Sequence, residues 1–140
     1  MKLKTTKPSA SYQLALPEDI CEQYDGRVCS FWLDRQPLVL QFSSYLRESG
    51  EQLEAQDRLR ERIDKQPQQW EMWKSRIYPD VTVDQATAEF VDENGCLWIH
   101  TYLVWPHLTI YATISGPKDL ARAETNWAVA GLRSLQLSVQ

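Results

Sequence analysis

Two consecutive β-hairpins are predicted between Gln85 and Ser115, and the rest of the chain must fold around them. The first turn contains Asn94-Gly95, a dipeptide typical of a two-residue type I′ turn, in which both residues need a positive φ. The second turn spans residues 104–107. The pattern predicts three antiparallel strands, Gln85–Asp92, Leu97–Leu103 and Leu108–Ser115.

A two-residue turn at Asn94-Gly95 would place Phe90 opposite Ile99. A second turn that closes between Leu103 and Leu108 would place Thr101 opposite Ile110. Because side chains alternate between the two faces of a strand, Phe90, Ile99 and Ile110 are predicted to share one apolar face. The rows predicted for the other face are Val91–Trp98–Thr113, Glu89–His100–Tyr111 and Thr87–Tyr102–Thr109.

We call this second face, with Trp98, His100, Tyr102 and Tyr111 at its centre, the aromatic face. A solvated face would carry Lys, Glu, Thr and Ser, whereas tryptophan, histidine and tyrosine are typical of a covered surface. Two interpretations stay open. Another part of the chain covers the face, or the face binds a partner.

The row Glu89–His100–Tyr111 is the one predicted group with acid-base potential. A row of hydrogen bonds that only satisfies polar groups is the alternative. Catalysis would also need a nucleophile, an oxyanion donor or a metal, and no such motif accompanies these residues. The sequence therefore predicts no catalytic residues, and an enzyme built on Glu89 and His100 is kept only as a minor alternative.

The remaining patterns predict a single α+β domain over residues 11–140, after a disordered tail at residues 1–10. A first strand covers Ser11–Leu16, and Glu18–Gly26 is a connection. A hairpin of Arg27–Leu33 with Leu38–Tyr45 would pair Phe31 with Leu40 and Cys29 with Phe42, and would leave Trp32, Val39, Ser30 and Gln41 on its other face. The expected architecture is an antiparallel sheet of six to seven strands packed with two main helices.

The first helix is predicted over Ser49–Gln66, with Ser49 as N-cap, Gln52 completing a capping box, and charges that form a solvated face. The second is predicted over Lys118–Ser134, followed by a short strand at Leu135–Val139. Gln68–Asp80 carries Trp70 and Trp73 and could be a short helix or a loop. These aromatic residues could fold over the aromatic face or remain available to a partner.

Composition restricts the function classes. The 140 residues carry a net charge of −4, which argues against a general nucleic-acid binder, since phosphate backbones select basic surfaces. Cys21, Cys29 and Cys96 lack metal-binding spacing, so we predict no metal, no cofactor and reduced thiols. The basic N-terminus lacks an apolar run, and no window is long enough to span a membrane. A cytoplasmic location is the simplest interpretation.

The chain resembles the PsbP-like superfamily. The resemblance rests on five features of the sequence: Leu14-Ala15-Leu16-Pro17, the hairpin ending near Gln41-Phe42, Ala88-Glu89-Phe90 with Asp92-Glu93-Asn94-Gly95, the two long strands from Leu97 to Ser115, and Trp127 with residues 132–137. That superfamily includes extrinsic photosystem II subunits, a nuclear-import factor that binds the Ran GTPase, and bacterial chaperones for secretion effectors. The resemblance implies an α/β sandwich and a role in protein binding.

Two hypotheses for function follow. The first is a non-enzymatic protein-interaction module, an adaptor or chaperone for a secreted or membrane-directed partner, with a second copy of the chain as another candidate partner. The alternative is a small-molecule-binding domain whose pocket is walled by the aromatic face. For both, the predicted binding residues are Trp98, His100, Tyr102, Tyr111, Glu89, Trp70 and Trp73.

Overall fold

The computed structural model describes residues 2–47 and 54–138, in which ten strands and three helices form. In chain order the first elements are β1 Leu3–Ser9, β2 Tyr12–Pro17, β3 Cys21–Asp25, β4 Val28–Leu33, β5 Gln36–Leu46, α1 Ala55–Asp64 and β6 Glu71–Met72. They are followed by β7 Asp84–Val91, β8 Cys96–Val104, β9 Leu108–Pro117, α2 Lys118–Arg122, α3 Trp127–Arg133 and β10 Gln136–Leu137.

The strands form two antiparallel sheets. One has seven strands in the order β3-β4-β5-β9-β8-β7-β6, and the other has three in the order β1-β2-β10. The predicted α+β class is confirmed, as is the pairing of Phe31 with Leu40 and of Cys29 with Phe42. The hairpin predicted for residues 27–45 meets the two consecutive hairpins of residues 85–115 where β5 pairs with β9.

The main core lies between the two sheets. Alternating side chains of β4, β5, β8 and β9 present one apolar face of the large sheet, and β2 and α3 pack against it. α3 approaches β2 closely at Gly131, where an added Cβ would lie 2.6 Å from a Leu16 methyl carbon and 3.3 Å from the Ala15 carbonyl oxygen. A larger residue at this position would force the Leu16 side chain to shift, and glycine allows the close contact between helix and strand.

A second, smaller core forms on the opposite face of the large sheet, beneath α1. Ala55 and Leu59 of the helix are fully buried against Ala88, Tyr102 and Val104. The N-terminus of α1 is held by β7, because the Ala55 backbone N–H donates to Asp84 Oδ2 at 2.9 Å. Of the predicted first helix, residues 55–64 are confirmed, and the capping box at Ser49 and Gln52 lies outside the described residues.

The predicted register of the first hairpin is wrong by one residue. Phe90 pairs with Trp98 rather than Ile99, so Phe90 and Ile110 lie on opposite faces. The loop has three residues, not two, and only Gly95 has a positive φ, of 79°. Asp92 accounts for this choice, since its Oδ1 accepts the backbone N–H groups of both Asn94 and Cys96 at 2.9 Å.

The second hairpin is displaced from its predicted register by two residues, with Thr101 opposite Ala112 and Leu103 opposite Ile110. A shift of two residues leaves every side chain on its predicted face, because the period of a strand is two. Trp98, His100, Tyr102 and Tyr111 therefore still share one face. In the first hairpin, by contrast, Phe90 joins that face and Glu89 leaves it.

Three further expectations differ from the structure. Residues 3–9, expected to be disordered, form β1, because their backbone hydrogen-bonds to β2 and Thr6 is buried. The expected connection at Glu18–Gly26 contains β3, which extends the sheet beyond β4. The predicted second helix is divided into α2 and α3, since Asn126 begins a new helix by accepting the Val129 N–H at 2.7 Å.

Candidate binding site

The aromatic face holds a continuous group of rings contributed by three strands. Phe90 lies on β7, Trp98, His100 and Tyr102 on β8, and Tyr111 on β9. Neighbouring rings are close, with centroids 6.3 Å apart for Phe90 and Trp98, 5.6 Å for His100 and Tyr111, and 4.7 Å for Tyr102 and Tyr111. Alternation places the rings of β8 on one face, and the register between strands adds Phe90 and Tyr111 to that face.

Trp70 covers one end of this group. It precedes β6, and its ring centroid lies 4.5 Å from that of Phe90 and 4.6 Å from that of His100. The segment that carries it is mostly irregular, apart from the two-residue strand β6 that pairs with β7. The sequence left open whether this tryptophan folds over the aromatic face, and the structure places it there.

His100 lies at the centre of the site and is only 9% exposed. Its Nδ1 hydrogen-bonds to the Tyr111 hydroxyl, whereas its buried Nε2 has no hydrogen-bond partner among residues 2–47 and 54–138. Burial, and secondarily the positive charge of Arg62, lowers the pKa of His100 to about 4. Burial raises the pKa of Tyr111 above its ordinary value. At neutral pH both groups are therefore uncharged.

Arg62 of α1 lies above the two tyrosines. Its Nε donates to the Tyr102 hydroxyl oxygen at 3.0 Å, and its guanidinium carbon is 4.0 Å from the centroid of the Tyr111 ring, a cation–π contact. Arg62 therefore does not belong to the predicted solvated face of the helix, because its side chain is half-buried. Helical charge patterning does not distinguish an arginine that snorkels over aromatic rings from one in water.

A pocket of about 170 Å³ opens between the C-terminal part of α1 and the sheet. Its lining combines aromatic rings with polar groups from the helix and from the loop that follows it: Arg62, Gln66, Trp70, Phe90, Trp98 and His100. Tyr102 lies deeper, under α1, and is 7% exposed. The chain itself thus covers one part of the aromatic face and leaves a concavity beside His100.

The other part of the same face extends across β9, β5 and β4. Trp98 continues there into Ser115, Val39 and Trp32, and the next row contains Thr113, Gln41 and Ser30. Trp32, Val39, Gln41, Ser30 and Trp98 are each partly exposed, and we call these five residues the open surface. α1 packs on β7 and β8, away from most of this surface.

Two of the predicted binding residues, Glu89 and Trp73, do not belong to the site. Glu89 lies on the opposite face of the sheet, where its carboxylate accepts the indole N–H of Trp73 at 2.9 Å and pairs with Arg122 at 2.7 Å. Trp73 packs there against the main core. The predicted row Glu89–His100–Tyr111 is therefore wrong, and only its His100–Tyr111 contact forms. The cause is the one-residue change of register, which moves Glu89 to the other face.

Phe90 and Arg62 were not predicted from the sequence as site residues. Trp32 and Trp98 were not predicted to lie on the same face of one sheet. Trp32 was correctly placed on the outer face of its hairpin. Joining it to the aromatic face needs the pairing of β5 with β9, a contact between segments distant in sequence. Asp92 was the sequence signal that could have identified Phe90, because it sets the hairpin register that places Phe90 on the aromatic face.

No protein-family model matches the sequence, and a search of curated proteins gave no match. Among solved structures, a crystal structure from Bacteroides thetaiotaomicron VPI-5482 is similar, with a TM-score of 0.62 at 14% sequence identity. The alignment covers 92% of this chain and 46% of that chain, so this chain spans less than half the length of that protein. At this identity the similarity concerns the fold alone.

None of the helices in residues 2–47 and 54–138 is long and apolar enough to cross a membrane. Over the same residues, no group of three or more His, Cys, Asp or Glu side chains is placed to hold a metal ion.

Proposed function

We propose that the protein is a non-enzymatic interaction module that binds a partner protein through the open surface. The observation that supports this most directly is the partial exposure of Trp32, Val39 and Trp98 along one sheet face. Large aromatic side chains flanked by polar groups, here Ser30 and Gln41, are typical of the anchors of protein interfaces. The PsbP-like resemblance, with its adaptors and chaperones, is consistent with this proposal.

A photo-crosslinking experiment tests the proposal in the native cell. A photoreactive amino acid at position 41, in the middle of the open surface, is compared with the same amino acid at position 82, in an exposed turn remote from it. We expect a discrete crosslinked product at position 41 only. Light scattering of the purified protein then shows whether that partner is a second copy of the chain.

Substitution of the proposed anchor supplies a second measurement. Trp32→Ser should reduce crosslinking at position 41 by at least about tenfold, because truncating a tryptophan anchor costs about 2 kcal/mol or more of binding free energy. Val81→Ser is the matched control, since Val81 is 76% exposed and lies in a turn outside the open surface. Equal crosslinking in wild type and Trp32→Ser would contradict the proposal.

A small-molecule-binding function is the second candidate. The pocket of about 170 Å³ beside His100 favours it, because a concave site with aromatic walls and a few polar groups is the usual form of a ligand site. Both functions use the aromatic face and share Trp98, but their other residues differ. Substitutions at Trp32 in the open surface and at Arg62 in the pocket therefore separate them.

A further inference from the structure

We infer that the pocket between α1 and the aromatic face binds a planar aromatic carboxylate. This inference rests on the second candidate function and gives the chemical class of its ligand. It depends on three features of the pocket: its ring-shaped apolar walls, an unpartnered buried donor, and a half-buried cation that has no carboxylate partner among the described residues.

The aromatic walls of the pocket favour a ligand with a single flat ring. Trp70, Phe90 and Trp98 line the pocket, and the planes of Phe90 and Trp98 are within 7° of parallel. Aromatic rings favour offset-stacked or edge-to-face contacts with another ring. The volume of about 170 Å³ is smaller than the roughly 300–1,000 Å³ of pockets that hold drug-sized ligands, and it suits one ring with a short substituent.

His100 supplies a hydrogen-bond donor. The Tyr111 phenol keeps its proton because burial raises its pKa, and we assign it as the donor to His100 Nδ1. The neutral imidazole then carries its hydrogen on Nε2. Because Nε2 is buried without a partner and His100 lines the pocket, an acceptor on a ligand would satisfy it.

Arg62 supplies the charge. Its Nε is used by Tyr102 and its planar face by the Tyr111 ring, which leaves the two terminal nitrogens as donors. No carboxylate of the described residues forms an ion pair with Arg62. A carboxylate accepts two parallel N–H bonds from such a pair of nitrogens, so the ligand group that matches Arg62 and His100 together is a carboxylate.

Three probes of equal size and different charge test the inference: benzoate, benzamide and benzylammonium. Quenching of tryptophan fluorescence reports their binding, since Trp70 and Trp98 line the pocket. We expect benzoate to bind at least about tenfold more tightly than benzamide, because the charge-assisted contacts are lost in the amide. Benzylammonium should bind more weakly still, because Arg62 repels it.

Arg62→Gln should weaken benzoate binding about tenfold and leave benzamide binding nearly unchanged. Arg60→Gln is the matched control, since Arg60 lies on the same helix and is exposed; it should change neither. In the wild-type protein at saturation, benzoate should shift the NMR signals of the His100 ring nitrogens more than benzamide does, because a charged carboxylate is the stronger acceptor. This second readout does not depend on the folding of any variant.

The outcomes separate the inference from the function on which it rests. Equal binding of benzoate and benzamide, with equal effects on His100, would overturn the carboxylate inference and retain a small-molecule pocket. Absence of binding by all three probes would overturn both. Neither result affects the crosslinking test of the open surface.

Discussion

The surroundings of His100 favour its neutral form. Its ring is buried among aromatic side chains, with Arg62 nearby, and its pKa falls from 6.5 to about 4. The unfolded chain binds a proton on this residue as the pH falls through 6.5, while the folded protein does not until about pH 4. The unfolded state therefore binds more protons between these two pH values, and the stability must fall as the pH is lowered.

This linkage gives a prediction for the free energy of unfolding. His100 should contribute a loss of about 2 kcal/mol between pH 7 and pH 5, at 1.36 kcal/mol per pH unit below 6.5. His100→Gln should lack this part of the pH dependence, whatever its stability at pH 7. Urea denaturation at several pH values measures how the free energy of unfolding changes with pH.

His107 provides the control for this experiment, because it lies exposed in the turn between β8 and β9. His107→Gln should keep the wild-type slope. If His100→Gln and the wild type lose stability equally between pH 7 and pH 5, His100 is not held neutral by the fold.

At the scale of elements, Asn126 joins two helices that the sequence pattern merged into one. Its side-chain oxygen accepts the Val129 N–H of α3 at 2.7 Å. Its amide nitrogen donates to the carbonyl oxygens of Leu120 and Ala121 in α2 at 2.9 and 3.1 Å. One buried side chain thus satisfies the start of one helix and the end of another.

We expect Asn126→Ala to lower the free energy of unfolding by about 2–4 kcal/mol, since it removes the N-cap bond and leaves carbonyl groups unsatisfied. Asn126→Ser should lose less, because a serine hydroxyl can still cap α3. Thr125→Ala is the control, as Thr125 is exposed. Urea denaturation ranks the three variants, and equal stability of Asn126→Ala and Thr125→Ala would contradict this role.

Elements were predictable where local patterning determines them. The hairpin of β4 and β5 kept its predicted pairs of Phe31 with Leu40 and of Cys29 with Phe42, whereas the predicted pair of Leu33 with Leu38 is wrong, because the register shifts there and Leu33 pairs with Gln36. β8 and β9 kept their predicted faces. The predicted register of the hairpin of β7 and β8 was wrong because Asn94-Gly95 permits two loop lengths. A side chain outside the dipeptide, that of Asp92, decides between them. The break between α2 and α3 was not predicted for a similar reason. The apolar spacing continues through Asn126, but the Asn126 side chain caps a new helix.

The residues that make up the candidate site were predictable only in part, because they meet through contacts between distant segments. Trp98, His100, Tyr102 and Tyr111 follow from two adjacent strands and were identified. Arg62 and Trp70 come from segments whose position over the sheet no local pattern fixes. Trp32 reaches the same face only through the pairing of β5 with β9. Tertiary packing therefore decides which predicted aromatic residues become a pocket.

At the scale of the whole molecule, the large sheet separates two cores of unequal size. The main core joins both sheets with α2 and α3. Among the described residues, the second core has five buried side chains, contributed by α1, β7 and β8. An element held by fewer buried apolar contacts opens at a lower free-energy cost than the rest. α1 also forms one wall of the pocket, so its opening would change access to the aromatic face.

We therefore expect α1 to unfold locally while the main core stays intact. Native-state hydrogen exchange in low urea should give the amides of α1 a lower opening free energy than those of β8 and β9. Leu59→Ala, which truncates a fully buried leucine of the second core, should lower the value for α1 by about 2–4 kcal/mol. Because Leu59 is also exposed when β9 opens, the same substitution should lower the value for β9 by a similar amount.

Leu40→Ala is the matched variant in the main core, where Leu40 is also fully buried. It should lower the opening free energy of β8 and β9 by a similar amount, because these strands open only when the main core does. It should leave the value for α1 nearly unchanged, because Leu40 stays buried when α1 opens alone. Two results would show that the molecule unfolds as one cooperative unit: equal opening free energies for α1 and β9 in the wild type, or equal losses at α1 in the two variants. In that case access to the pocket could not be controlled by α1 alone.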